Sequence, residues 1–188
     1  MLDYIVRLDT YLFLLFNSAV ANPLLDWFFL MITNENYWIV PGVCGAIFLA
    51  RHDRKKAVIV IPLVVVAIAI SDPLCVSVIK PLVGRLRPCD PKVMVEGGRF
   101  LMIHKRSFSF PSAHAMNIFT LTTLLVLFYS GGAVWLIVTA TLVSFSRVYL
   151  GAHYPFDVLG GAVFGIVIGA SVYGGYRYLA KPLRLESS

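Results

Sequence analysis

The residues best suited to chemistry lie between Ser146 and Asp157, where Arg147, His153 and Asp157 fall within twelve positions. An arginine can fork onto phosphate oxygens. A histidine can attack phosphorus or move a proton. An aspartate four residues later can orient that imidazole if a helix begins there, and Pro155 supports such a start because proline is tolerated in a first helical turn. Two earlier stretches, Lys80 to Pro88 and Pro111 to His114, read as further walls of one site. Lys80 and Arg87 offer a point charge and a planar fork to one phosphate. Ser112 has the character of an N-cap, with Ala113 and His114 in the following turn. The free N–H groups and dipole of a helix start there make an anion site. Each stretch has a plainer reading alone: cations snorkelling to head groups, a capping serine beside a chance histidine, or a structural histidine at an interface. Sharing one face and one order makes the three plain readings jointly improbable.

The elements that must position these residues are apolar runs. Of 188 residues, 59% are hydrophobic and only 14% charged, against about 25% charged in a typical soluble domain. Mean hydropathy is +0.80. The runs are continuous, whereas a transmembrane barrel alternates over segments of about ten residues. The expected fold is therefore all-α: a polytopic membrane protein, one domain over residues 1–188. The net charge of +6 sits at the ends of apolar runs, which fits lipid head groups; no nucleic-acid recognition module is visible. Cys44 and Cys75 lie in apolar runs and read as buried small hydrophobes. Cys89, in a polar loop, has no obvious partner, so no disulfide framework is implied. The N-terminus shows no cleavage-site pattern of a removable signal peptide.

In chain order, Leu2 to Val20 either spans the bilayer or lies in its interface. Asn22-Pro23 signals a helix start, and Leu24 to Thr33, about 15 Å long, is expected to be interfacial or re-entrant. Tyr37 to Ala50, Ala57 to Ile79, Ala115 to Tyr129, Ala133 to Phe145 and Asp157 to Tyr178 are the further spans. Arg51 to Lys56 carries four basic residues and reads as a cytoplasmic loop. By parity, the connection 80–110, Pro111 to His114 and the His153 stretch then share the opposite face. That connection carries Lys80, Arg85, Arg87, Lys92, Arg99, Lys105 and Arg106, against the positive-inside tendency, and an anionic substrate would account for it. Asp72, inside a span, reads equally as a functional acid or as a partner for a neighbouring helix. Tyr149 and Tyr154 read as interfacial tyrosines or as lining of a head-group pocket.

The pattern Lys80-x6-Arg87-Pro88, Pro111-Ser112-Ala113-His114 and Ser146-Arg147-x5-His153-x3-Asp157 resembles the three-part signature of the type 2 phosphatidic acid phosphatase family. It covers roughly residues 79–157. One position departs: Ala113 stands where the family usually has glycine, which puts close backbone approach or a positive φ in doubt. The resemblance implies a six-helix transmembrane bundle with catalytic segments 80–88, 111–114 and 146–157. It implies His153 as nucleophile forming a phosphohistidine, Asp157 holding its ring, and His114 as acid and then base. Lys80, Arg87, Arg147, Ser112 and the amide of Ala113 would hold the phosphate. No cofactor or metal is implied. Asp90 and Glu96 are isolated, and three fixed cations with a helix start can stabilise the equatorial oxygens alone.

The resulting expectation is a membrane lipid phosphatase acting on a lipid with an anionic head group, in a bacterial inner membrane with its site facing the periplasm. The Ser-Arg-Val-Tyr-Leu-Gly-x-His-Tyr-Pro pattern resembles bacterial undecaprenyl-diphosphate phosphatases most. Phosphatidylglycerophosphate, phosphatidate and lipid A 1-phosphate remain as alternatives. A lipid phosphotransferase using the same histidine, or a non-catalytic lipid-phosphate binder or transporter, also stays open.

Overall fold

A computed structural model describes residues 2–102 and 107–185, which form helices and connections with no strand among them. The helices are α1 (Leu2–Leu14), α2 (Pro23–Thr33), α3 (Ile39–His52), α4 (Arg54–Pro73), α5 (Lys80–Val83), α6 (Ala113–Phe128), α7 (Ala133–Tyr149) and α8 (Pro155–Leu185). Lys105 and Arg106, which the sequence places in the site-side connection, lie outside the described residues, as does the side chain of Arg184.

Three stretches are long and apolar enough to cross a bilayer: Arg54–Val83, Ser130–Tyr149 and Pro155–Lys181. A fourth arises if α1 with its π-turn and α2 are one span bent by 113°. Large apolar side chains such as Val65, Trp135, Val163 and Leu179 are exposed, as lipid-facing surfaces require. The chain is thus an integral membrane protein.

Two local expectations are corrected. The basic loop 51–56 shrinks to one residue, Asp53, whose carboxylate caps α4 by accepting from the Lys56 amide at 3.1 Å. The four cations are therefore helix-end residues, Arg51 at the end of α3 and Arg54, Lys55 and Lys56 at the start of α4. Cys44 is exposed while Cys75 is buried, because α3 buries none of its side chains.

The main packing unit is α6 against α8. Gly161, Gly165 and Gly169 recur every fourth residue on α8. A Cβ on them would lie 2.5 Å from the Ser112 carbonyl, 2.3 Å from that of Met116 and 2.8 Å from that of Thr120. The paired positions advance together, so the two helices run parallel with backbones in contact, as small-residue membrane interfaces allow. Gly165→Val is expected to destabilise the protein by about 1–3 kcal/mol through overpacking. Gly174→Val, which meets nothing within 4 Å, should leave the thermal midpoint in detergent unchanged.

A polar cluster joins α4 to α6. Ser71 donates to Asn117 at 2.7 Å, and Asn117 donates to Asp72 at 2.9 Å. Asp72 therefore does pair with a neighbouring helix. α1 and the π-turn after it bury a narrow stripe, Asp9, Phe13 and Asn17, at helical spacing. Phe13 stacks on Phe100 and packs on Tyr154. The Asn17 amide donates to the carbonyls of Arg99 and Tyr149, both at 2.7 Å. α1 thereby pins the long connection before α6 to the turn between α7 and α8.

Candidate active site

The parallel packing of α6 and α8 brings two helix N-termini to one place. Ser112 caps α6, its hydroxyl facing the Ala115 amide at 3.5 Å. The Ser112 amide donates to the carbonyl of Asp157 at 2.9 Å, tying the first turn of α6, which carries His114, to the first turn of α8. Both dipoles present their positive ends there. Ala113 opens α6, and no non-glycine among the described residues has a positive φ. Alanine at the usual glycine position therefore carries no backbone strain.

His153 enters from the turn between α7 and α8. Gly151 makes that turn with φ +83°, and a Cβ there would fall 2.3 Å from the Arg99 carbonyl, so only glycine fits. The amides of Ala152 and His153 both donate to the Arg147 carbonyl, at 2.9 and 3.1 Å. His153 is almost fully buried.

The contacts of its ring determine its tautomer. On one side, Nδ1 lies 3.3 Å from the Ser109 hydroxyl, which itself donates to Asp157 Oδ2 at 2.5 Å. A hydroxyl has one proton to give. With that proton on the carboxylate, the Ser109 oxygen accepts from Nδ1–H. On the other side, Nε2 faces Arg87 Nη1 at 3.2 Å. A guanidinium only donates, so Nε2 carries the lone pair. Both contacts fit one arrangement: Nδ1–H toward Ser109 and the Nε2 lone pair toward the Arg87 cation.

The expected direct hold of Asp157 on the ring is thus relayed. Asp157 Oδ2 is 3.6 Å from Nδ1, beyond hydrogen-bond range, and Ser109 fills the gap. The fully buried carboxylate also accepts from the Tyr154 amide at 2.9 Å and from Arg85 Nη1 at 2.7 Å.

The other cations frame this centre. Lys80 donates to the Phe108 carbonyl at 2.8 Å. Arg87 donates to the carbonyls of Ala152 and Ser107 and to the Ser107 hydroxyl, each at 2.9 Å. Segment 107–109 is thus held by both cations while its Ser109 holds His153. Arg147 is buried; it donates to Thr33 of α2 at 2.7 Å, and its Nε has no partner among the described residues. That orphaned donor suits an incoming anion. Burial alone lowers the pKa of Arg87. For Arg85 burial acts the same way, but Asp157 and Asp9 outweigh it and the pKa is raised. Both remain cations. Among the described residues no group of three metal-ligating side chains occurs.

Lys80, Arg87, Ser112, Ala113, His114, Arg147, His153 and Asp157 lie on α5 and the connection after it, the start of α6, the end of α7, the turn after it and the start of α8. Sequence reasoning missed Ser109, two residues before Pro111. It counted Arg85 only as a loop cation, and it gave no role to Asp9 or Thr33. A hydroxyl so near a signature segment was a usable signal for Ser109; Asp9 and Thr33 had none.

An apolar helical scaffold thus carries at one end a histidine whose Nε2 faces an arginine, beside two paired helix N-termini. The chain belongs to the PAP2 superfamily, whose profile matches residues 59–181, and it is a membrane lipid phosphatase of that family. It is 32% identical over 171 residues to lipid A 4'-phosphatase of Bacteroides thetaiotaomicron, covering 88% of this chain and 75% of that one. It is 33% identical over 165 residues to YbjG of Escherichia coli K12, named as a candidate undecaprenyl-diphosphatase, covering 86% and 79%. The crystal structure of Aquifex aeolicus LpxE superposes with a TM-score of 0.68 at 27% identity, covering 87% of this chain and 93% of that one.

Proposed function

We propose that the protein hydrolyses a phosphomonoester or diphosphate of a membrane lipid through a phosphohistidine on His153. The observation that carries this reading is the ring geometry: Nδ1–H is held through Ser109 by Asp157, and the Nε2 lone pair faces Arg87. Nε2 attacks phosphorus, and the bond from phosphorus to the leaving oxygen breaks. His114, in the first turn of α6, gives that oxygen a proton. A water then attacks the phosphohistidine, losing its proton to His114 and freeing His153. Lys80, Arg87, Arg147, Ser112 and the amide of Ala113 bind the equatorial oxygens, whose charge must be matched during transfer. No step needs a metal.

The two relatives above are named for lipid A phosphate and undecaprenyl diphosphate. Either fits an anion site at the end of a membrane bundle. The six-helix bundle implied by the signature would take α3, α4 with α5, α6, α7 and α8, with the bent α1–α2 pair as its sixth member. The placement we infer is a bacterial inner membrane with the site on the periplasmic side, since the cations at the junction of α3 and α4 favour the cytoplasm. The whole chain then acts as one phosphatase domain.

The test is phosphate release by purified protein in detergent with EDTA, offered lipid A, undecaprenyl diphosphate, phosphatidylglycerophosphate and phosphatidate side by side. Release is expected to persist in the chelator at the rate seen without it, and the fastest lipid identifies the substrate. Loss of release in EDTA, restored by a divalent cation, would overturn the metal-free mechanism. Binding of the lipids with no release of phosphate from any of them would favour a binder or transporter.

A further inference from the structure

Asp9 lies on α1, fifty residues before the matched family segment begins. It is a fully buried acid in an apolar helix, and such groups require a partner. It has two. Its Oδ1 accepts from the Phe156 amide in the first turn of α8 at 2.9 Å, satisfying one of the donors a helix start leaves free. Its Oδ2 meets Arg85 Nη2 at 2.5 Å. The other terminal nitrogen of the same guanidinium meets Asp157 Oδ1 at 2.7 Å, and the guanidinium lies 4.2 Å over the Tyr154 ring.

We propose that Asp9 is a positioning residue for catalysis, fixing Arg85 so that Arg85 holds Asp157, and through Ser109 the His153 ring, in the reactive orientation. The inference rests on the phosphohistidine reading. Its physical basis is geometric. A planar fork bound at one end only can swing about its stem, whereas bound at both ends its second nitrogen has one place to be. The carboxylate of Asp9 also anchors the start of α8, from which Asp157 projects. α1 therefore contributes to the geometry of the reacting centre without touching the substrate.

The test is a double-mutant cycle between Asp9 and Asp157, read as kcat and KM for phosphate release by the full-length protein. Asp9→Asn keeps the shape and one acceptor but removes the ion pair. In the unaltered background it is expected to lower kcat about tenfold with KM changed less than about twofold, the range of coupling seen between residues of one network. In the Asp157→Asn background the same change should lower kcat less than about twofold, because the group that Asp9 positions is already gone. An equal loss in both backgrounds, or no loss in either, overturns the proposal. If Asp9→Asn does not fold, Asp9→Glu goes through the same cycle with the same criterion, since moving the charge by one methylene also displaces the fork. The two levels fail separately. If His153→Ala leaves turnover untouched, the phosphohistidine reading falls; if only Asp157→Asn does, Asp157 leaves the mechanism and Asp9 with it. If Asp157→Asn is impaired and the Asp9 loss is additive, only the role of Asp9 falls.

Discussion

Replacing His153 with alanine is expected to reduce kcat by at least about 10⁴-fold, the scale on which loss of a nucleophile is felt. Nε2 is the ring nitrogen that faces Arg87, and the tautomer that Ser109 favours puts its lone pair on that side. Alanine removes the attacking atom but leaves the anion site. Lys80 is still held by the Phe108 carbonyl, Arg87 by Ser107 and Ala152, and Arg147 by Thr33. Affinity for a non-hydrolysable lipid phosphate is therefore expected to change by no more than a few fold. The second measurement is trapping. Quenching the unaltered protein in alkali during turnover of ³²P-labelled lipid should yield an acid-labile phosphoprotein, and the alanine variant should yield none. Turnover within tenfold of the unaltered protein would place the chemistry on another group.

Asp157→Asn is expected to lower kcat by roughly 10²- to 10⁴-fold, as loss of the acid that orients a catalytic imidazole does elsewhere. Asp157 is acceptor-only when ionised, and each of its oxygens is used: Oδ1 by Arg85, Oδ2 by Ser109 and the Tyr154 amide. An asparagine must turn its NH₂ toward one of these donor sets. Facing Ser109, it forces the hydroxyl to accept and to aim its proton elsewhere. The only ring nitrogen in reach is Nδ1, so the tautomer inverts and Nε2 gains the proton. Facing Arg85, it sets donor against donor and breaks a buried ion pair, which is destabilising. The variant should therefore show a low kcat, a lowered thermal midpoint, or both, by phosphate release and thermal unfolding in detergent. Full activity with an unchanged midpoint would remove Asp157 from the mechanism.

The separation of residues along the chain explains what was legible. Ser112 was readable as a cap and Pro155 as a helix start because capping is local: the partners lie within a turn. Arg147, His153 and Asp157 were readable because the end of one helix, the turn after it and the start of the next carry them in succession. The glycine spacing at Gly161, Gly165 and Gly169 was visible in the letters. Its meaning was not, since only the partner helix shows which carbonyls approach. The one-residue link between α3 and α4 was obscured by the high charge of 51–56, which reads as a loop until Asp53 is seen to cap.

Composition and motif spacing alone determined that this is a helical membrane protein with cations, two histidines and an aspartate arranged for phosphate chemistry. Hydropathy acts over twenty-residue windows and each signature part over twelve residues or fewer, so both survive without a fold. The tertiary structure decided which nitrogen of His153 faces Arg87, that Ser109 stands between the ring and Asp157, and that Arg85 is shared with Asp9. Those facts depend on contacts between residues 44 to 76 positions apart. Such contacts exist only once α6 and α8 have packed and α1 has closed over their ends, and no local pattern encodes them.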